Sequence, residues 1–193
     1  MTSADKVSNF NIANAVTILR LLLVPLFIWV FLDADTAHRW AAAAIFFIAA
    51  ATDKLDGHLA RSRGLITDFG KLADSIADKA LVAAALILLS THSMLWWWVT
   101  ILMLARELGI TLMRMALVRK EVMAAGRGGK LKMVLQVFFI LGLLIPWRSF
   151  LPSVLATACE WITWGMVAGA LILSLLSAAE YVRDAIRISR TQS

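Results

Sequence analysis

One cysteine, Cys159, occurs in 193 residues. An internal disulfide and a cysteine-based metal cluster are therefore excluded. A lone cysteine in an apolar helix is expected to be a small packing residue. No polar stretch is long enough for a separate soluble domain, and no internal repeat is visible, so residues 1–193 are expected to form a single domain. The polar opening, Met1 to Phe10, lacks an apolar core followed by a small-residue cleavage site. A cleaved signal peptide is not expected, and the first apolar segment would itself direct insertion. Residues 1–12 leave room for a short interfacial segment.

What the chain has in abundance is apolar surface: 61% of its residues are hydrophobic. A transmembrane helix needs about 20 mostly apolar residues. Six such segments can be placed, near Ala13–Leu32, Trp40–Leu59, Phe69–Leu89, Leu95–Val118, Met133–Ile145 and Val154–Tyr181. The short fifth is expected to extend back into Lys130-Leu131-Lys132. Pro25 removes one backbone donor inside the first and can kink it. The expected fold is all-α, an integral membrane bundle of six transmembrane helices.

The formal charge is +6. In a soluble protein that balance would point to nucleic acid. Here the basic residues flank apolar runs, so they indicate topology and anionic lipid, and no nucleic-acid partner. Three connections carry only Arg39 and Arg148 as basic residues. The opposite side holds Lys6, Arg61, Arg63, Arg119, Lys120, Arg127, Lys130, Lys132, Arg183, Arg187 and Arg190. The positive-inside rule puts both termini in the cytoplasm. Trp96-Trp97-Trp98, at the outer end of the fourth segment, is an interfacial aromatic belt.

Against this background four aspartates stand out: Asp53, Asp56, Asp74 and Asp78, within 26 residues. Intramembrane acids are costly and mark functional sites. Asp53 and Asp56 are spaced i,i+3, and Asp74 and Asp78 i,i+4, so each pair shares a helix face. The topology brings both pairs to one depth near the cytoplasmic interface. Carboxylates so close repel one another, and hard divalent cations, which take oxygen ligands, offset the repulsion. Two such cations about 3.5–4 Å apart can hold the oxygens of a phosphoryl displacement. The small residues Gly57, Ala60 and Gly70 leave space for a ligand to approach the backbone. A buried charge network with Lys54, Arg61, Lys71 and Lys79 is the competing explanation. It accounts for neither the glycines nor the common facing of the acids. A divalent-cation transporter would also hold intramembrane acids, but gives no reason for Gly57, Ala60, Arg61 and Gly70 at their spacings. His58 is expected to be a variable residue rather than a ligand.

The pattern Asp53-x2-Asp56-Gly57-x2-Ala60-Arg61-x8-Gly70-x3-Asp74-x3-Asp78 resembles the full signature of the CDP-alcohol phosphotransferases, with all eight positions matched. The likeness extends over nearly the whole chain. Asn14-x2-Thr17-x2-Arg20 with Pro25, Arg106-Glu107, and Gly129-Lys130-Leu131-Lys132 look like the bacterial branch that forms phosphatidylglycerophosphate. The resemblance implies transfer of the phosphatidyl group of CDP-diacylglycerol to sn-glycerol 3-phosphate, with CMP released. It implies two divalent cations, Mg²⁺ or Mn²⁺, held by Asp53, Asp56, Asp74 and Asp78, with Asp78 also the general base. It implies contacts from Gly57, Ala60, Arg61, Thr67 and Gly70 to the CDP-lipid, a homodimer, and a multi-pass place in the inner membrane with the site on the cytoplasmic side. Inositol phosphate and phosphatidylglycerol are the rival acceptors. A phosphorylated acceptor needs cations, and Arg106, Arg114, Lys130 and Lys132 are candidates at the cytoplasmic ends of the fourth and fifth segments. Arg106 and Lys132 carry most weight, being set deepest towards apolar helix. Positive-inside topology or anionic-lipid contact is the competing role for these cations.

Overall fold

The computed structural model describes the backbone of residues 12–63, 68–117 and 127–190, and within these the side chains of residues 18–52, 76–113, 131–179 and 183. Among the described residues six α-helices follow one another: α1 (Ile12–Val30), α2 (Thr36–Arg63), α3 (Asp68–Thr91), α4 (Trp97–Leu117), α5 (Arg127–Leu144) and α6 (Ser153–Arg190), with a 3-10 turn at Trp147–Ser149. No strand occurs among the described residues. Leu131–Ser149 and Ser153–Ala179 are long and apolar enough to cross a membrane, and Ile18–Val30 is a shorter apolar helix. Helices α2 and α3 are less uniformly apolar because they carry the aspartates and their flanking cations.

The helices divide into two compact units, Met1–Leu88 with Leu144–Pro146, and Leu89–Leu143 with Trp147–Ser193. In the first, α1 packs along α2. Ala42, Phe46 and Ala49 line one face of α2 at helical spacing and are fully buried. The alanines permit close approach, and Phe27 fills the seam, 5.7 Å from Phe31 and 6.0 Å from Phe46 between ring centroids. Such aromatic pairs add to their burial energy. Leu22, Trp29, Phe47 and Ile48 are exposed, as lipid-facing residues would be. Asp35 starts α2 by accepting the His38 amide at 2.9 Å, an N-cap. That amide, and then the His38 ring, hold the Asp35 carboxyl below the usual carboxylate range. Arg39 donates to the carbonyls of Leu144 and Ile145 at 3.0 and 3.1 Å, satisfying acceptors left open where a helix ends.

In the second unit, α4 packs against α6, and α6 against the 3-10 turn. The buried seam of α6 consists of small residues: Ala156, Thr163, Val167, Ala170, Ser174 and Ser177. Small residues let helix backbones approach closely where no water drives packing. Ser90 and Thr100 share a buried hydroxyl–hydroxyl bond of 2.7 Å. The turn before α4 closes with Ser93 in the left-handed region, φ 57°. The Ser93 and Met94 amides donate back to Ser90 and Leu89, the Schellman pattern. Trp96 lies 6.0 Å from Trp98 and 4.6 Å from Trp164 between ring centroids, and Trp96, Trp97 and Trp98 are all exposed.

Among the described glycines, the tightest approach is at Gly142 on α5. A Cβ there would lie 2.5 Å from Thr163 Oγ1 and 2.8 Å from Cγ2. Alanine favours a helix interior over glycine by about 1 kcal/mol. Gly142→Ala is nevertheless expected to destabilise, by roughly 1–3 kcal/mol, because the α5–α6 contact must open. Thermal unfolding of the purified protein checks this. Gly142→Ala combined with Thr163→Ala should recover most of the loss, and an unchanged midpoint in Gly142→Ala alone would contradict the contact.

Candidate active site

The aspartates lie on two consecutive helices of one unit. Asp53 and Asp56 are on α2, and Asp74 and Asp78 on α3. The backbone is α-helical at all four positions, so each pair does share a helix face. α2 continues to Arg63, which sets Asp53 and Asp56 about two to three turns inside it. Asp78 is half-buried, next to the buried residues Ala77 and Leu81. The side chains of Asp53, Asp56, Gly57, Ala60, Arg61, Gly70 and Asp74 lie outside the described residues, as does Thr67 altogether. Among the described residues, no three His, Cys, Asp or Glu gather. The donor set itself, four carboxylates at helical spacings, suits hard divalent cations, which prefer oxygen ligands.

The second unit holds a polar cluster built by α4, α5 and α6. Lys132 on α5 is 2% exposed. A buried ammonium persists only when paired, and its Nζ meets Glu107 Oε1 on α4. The same oxygen accepts from Arg106 Nη1 at 3.2 Å. Arg106 also donates from Nε to the Ser174 carbonyl at 3.2 Å and from Nη2 to Ser177 Oγ, both on α6. Ser177 Oγ donates in turn to the Ser174 carbonyl at 3.1 Å. Arg106 thus joins α4 to α6, and Lys132 joins α5 to α4. Gln136, one turn beyond Lys132, is 4% exposed, and among the described residues its Nε2 and the Ser174 hydroxyl have no hydrogen-bond partner.

The structure therefore brings together two of the four expected acceptor cations, Arg106 and Lys132. The side chains of Arg114 on α4 and Lys130 on α5 lie outside the described residues. Sequence reasoning missed Ser174, Ser177 and Gln136, and noted Glu107 only as the neighbour of Arg106. Small hydroxyls in an apolar helix look like packing residues, and nothing local pairs positions 107 and 132. Arg20 on α1 is a further buried charge, 1% exposed. A guanidinium so deep in an apolar helix is a functional candidate in its own right.

A sequence profile for CDP-alcohol phosphatidyltransferase matches residues 10–175. The chain is 41% identical over 180 residues to a probable phosphatidylglycerophosphate synthase of Mycobacterium tuberculosis, covering 92% of this chain and 82% of that one. It is 37% identical over 185 residues to the CDP-diacylglycerol–glycerol-3-phosphate 3-phosphatidyltransferase of Escherichia coli, covering 91% and 95%. A protein of the same name from Bacillus subtilis is 37% identical over 150 residues, covering 70% and 77%.

Proposed function

Because the chain belongs to the CDP-alcohol phosphatidyltransferase family, we propose that it transfers the phosphatidyl group of CDP-diacylglycerol to sn-glycerol 3-phosphate, giving phosphatidylglycerophosphate and CMP. The observation that carries this reading is the eight-position signature, placed on α2 and α3 with each aspartate pair at face-sharing spacing. The names of the relatives supply the acceptor.

Asp53, Asp56, Asp74 and Asp78 would hold two divalent cations, Mg²⁺ or Mn²⁺. Bound there, the cations supply charge stabilisation to the phosphoryl group in transfer. The chain's own residues do the rest. Asp78 takes the proton of the acceptor hydroxyl. That oxygen forms a bond to the β-phosphorus as the bond to the bridging oxygen breaks, and CMP leaves with the electron pair. Gly57, Ala60 and Gly70 give the CDP-lipid room against the backbone, and Arg61 and Thr67 contact its CDP part. Arg106 and Lys132, with Arg114 and Lys130, receive the acceptor phosphate. Cations in a partly dry site suit a dianion, arginine above all.

The reading extends to six spans in the cytoplasmic membrane, with both termini and the site on the cytoplasmic side, and to a homodimer. The helices run from 18 to 38 residues, against the roughly 20 that a bilayer needs. A site at that interface can meet a lipid donor and a water-soluble acceptor. The test is an acceptor panel. Purified protein given CDP-diacylglycerol with sn-glycerol 3-phosphate, inositol phosphate or phosphatidylglycerol should form lipid product with the first. Product with inositol phosphate alone would reassign the acceptor.

The small residues give a separate expectation. Gly57→Val should raise the apparent KM for CDP-diacylglycerol by about tenfold or more while leaving the thermal midpoint near wild type, because Gly57 shares a face with Asp53 where a ligand must come close. A normal KM in that variant would count against a close approach at this position.

A further inference from the structure

Glu107 has a position that the transfer reaction alone does not explain. Its side chain is 27% exposed, whereas the Lys132 and Arg106 side chains beside it are 3% and 10% exposed. One of its oxygens, Oε1, takes both cations, one from its own helix and one from α5. A carboxylate serving only to tie α4 to α5 needs no second cation. Arg106 is already fixed from the other side by the Ser174 carbonyl and Ser177 Oγ. Glu107 therefore links a flexible ammonium to a guanidinium that α6 holds still. A lysine side chain loses rotamer freedom when it is ordered. Where that ordering is done beforehand, the ligand need not do it.

We propose that Glu107 is a positioning residue for the acceptor. It holds the Lys132 ammonium at a set distance from the Arg106 guanidinium, so that the phosphate of the incoming polyol phosphate meets two cations already in place. The inference rests on the reading that Arg106 and Lys132 receive that phosphate. It adds a specificity element. A carboxylate beside the two cations disfavours an anion that cannot reach both, so acceptors with a terminal phosphate are selected over larger or singly charged ones.

The experiment uses the full chain in detergent or nanodiscs. Glu107→Gln, Glu107→Asp, Lys132→Met and the Glu107→Gln/Lys132→Met pair are compared. Apparent KM is measured for sn-glycerol 3-phosphate and, separately, for CDP-diacylglycerol, with thermal midpoints alongside. Glu107→Gln should raise the acceptor KM by about 10–100-fold, since a misplaced binding group costs on that scale. The CDP-diacylglycerol KM should stay within about twofold. Glu107→Asp keeps the charge and shortens the reach, so it should fall between wild type and Gln. In the Lys132→Met background, Glu107→Gln should add less than about threefold, because the group it places is gone.

Equal rises in both KM values, or a lowered midpoint with an unchanged acceptor KM, would show a helix tie and overturn the proposal. If Glu107→Gln does not fold, an acceptor KM for Glu107→Asp equal to wild type overturns it as well. If Lys132→Met raises the acceptor KM and Glu107→Gln does not, the phosphate reading stands and the role of Glu107 alone is lost. If Lys132→Met itself leaves that KM unchanged, the phosphate reading fails and the role of Glu107 goes with it.

Discussion

Replacing any one of Asp53, Asp56, Asp74 or Asp78 with asparagine is expected to lower the rate of CMP release by roughly 10²-fold or more. Asparagine keeps the shape of the side chain and removes a charged oxygen ligand. The effect should therefore fall on chemistry and not on insertion or helix formation. Stability supplies a second, oppositely signed readout. Without divalent cations, carboxylates paired along one helix face repel, so each asparagine variant should unfold at the same temperature as wild type or higher. With Mg²⁺ present, wild type should gain stability by ligand binding, and the variants should gain less. EDTA should abolish wild-type turnover and Mg²⁺ or Mn²⁺ restore it. Full turnover in EDTA, or an asparagine variant that unfolds early and loses activity only for that reason, would contradict a shared cation site on α2 and α3.

The second large effect concerns the acceptor. Lys132→Ala should lower kcat/KM for sn-glycerol 3-phosphate by roughly 10–150-fold, the worth of about 1.5–3 kcal/mol for a charge-assisted contact. The CDP-diacylglycerol KM should change little. Arg106→Ala should do the same and also unfold earlier, because Arg106 donates to the Ser174 carbonyl and to Ser177 Oγ on α6. Lys132→Ala should unfold earlier as well, because it breaks the ion pair with Glu107 that joins α5 to α4. Arg106→Lys should recover only some of the loss, since a point charge cannot make both the Nε and the Nη2 bonds. Wild-type acceptor kinetics in both alanine variants would leave these cations a purely structural role, and inositol phosphate would then have to be tried as the acceptor.

The helices were legible in the sequence because apolar runs of membrane length leave little other choice. Their ends were less so. The expected start of the second segment at Trp40 falls inside α2, which begins at Thr36 behind the Asp35 cap. α5 starts at Arg127, ahead of the apolar run, and α6 continues to Arg190, well past Tyr181. In each case the hydropathy pattern stops where the apolar face stops, while a helix needs only satisfied backbone bonds and continues through polar residues. The Trp147–Ser149 turn was not foreseen, since three residues carry no periodicity. The aspartate motif was legible because its meaning lies in fixed spacing along two helices. The cluster of Glu107, Lys132, Ser174 and Ser177 was not. It is made by three helices meeting, and no local pattern links residues so far apart in the chain. The close pair Gly142 and Thr163 was hidden for the same reason.

The reaction proposed for this protein is phosphatidyl transfer from a CDP-lipid to a phosphorylated polyol. It is tested most directly by the initial rate of CMP release from CDP-diacylglycerol by the purified full-length protein with Mg²⁺, measured with and without sn-glycerol 3-phosphate. CMP release should depend on the acceptor and match phosphatidylglycerophosphate formed, mole for mole. No CMP release with any acceptor, or the same rate of release when the acceptor is omitted, would contradict it.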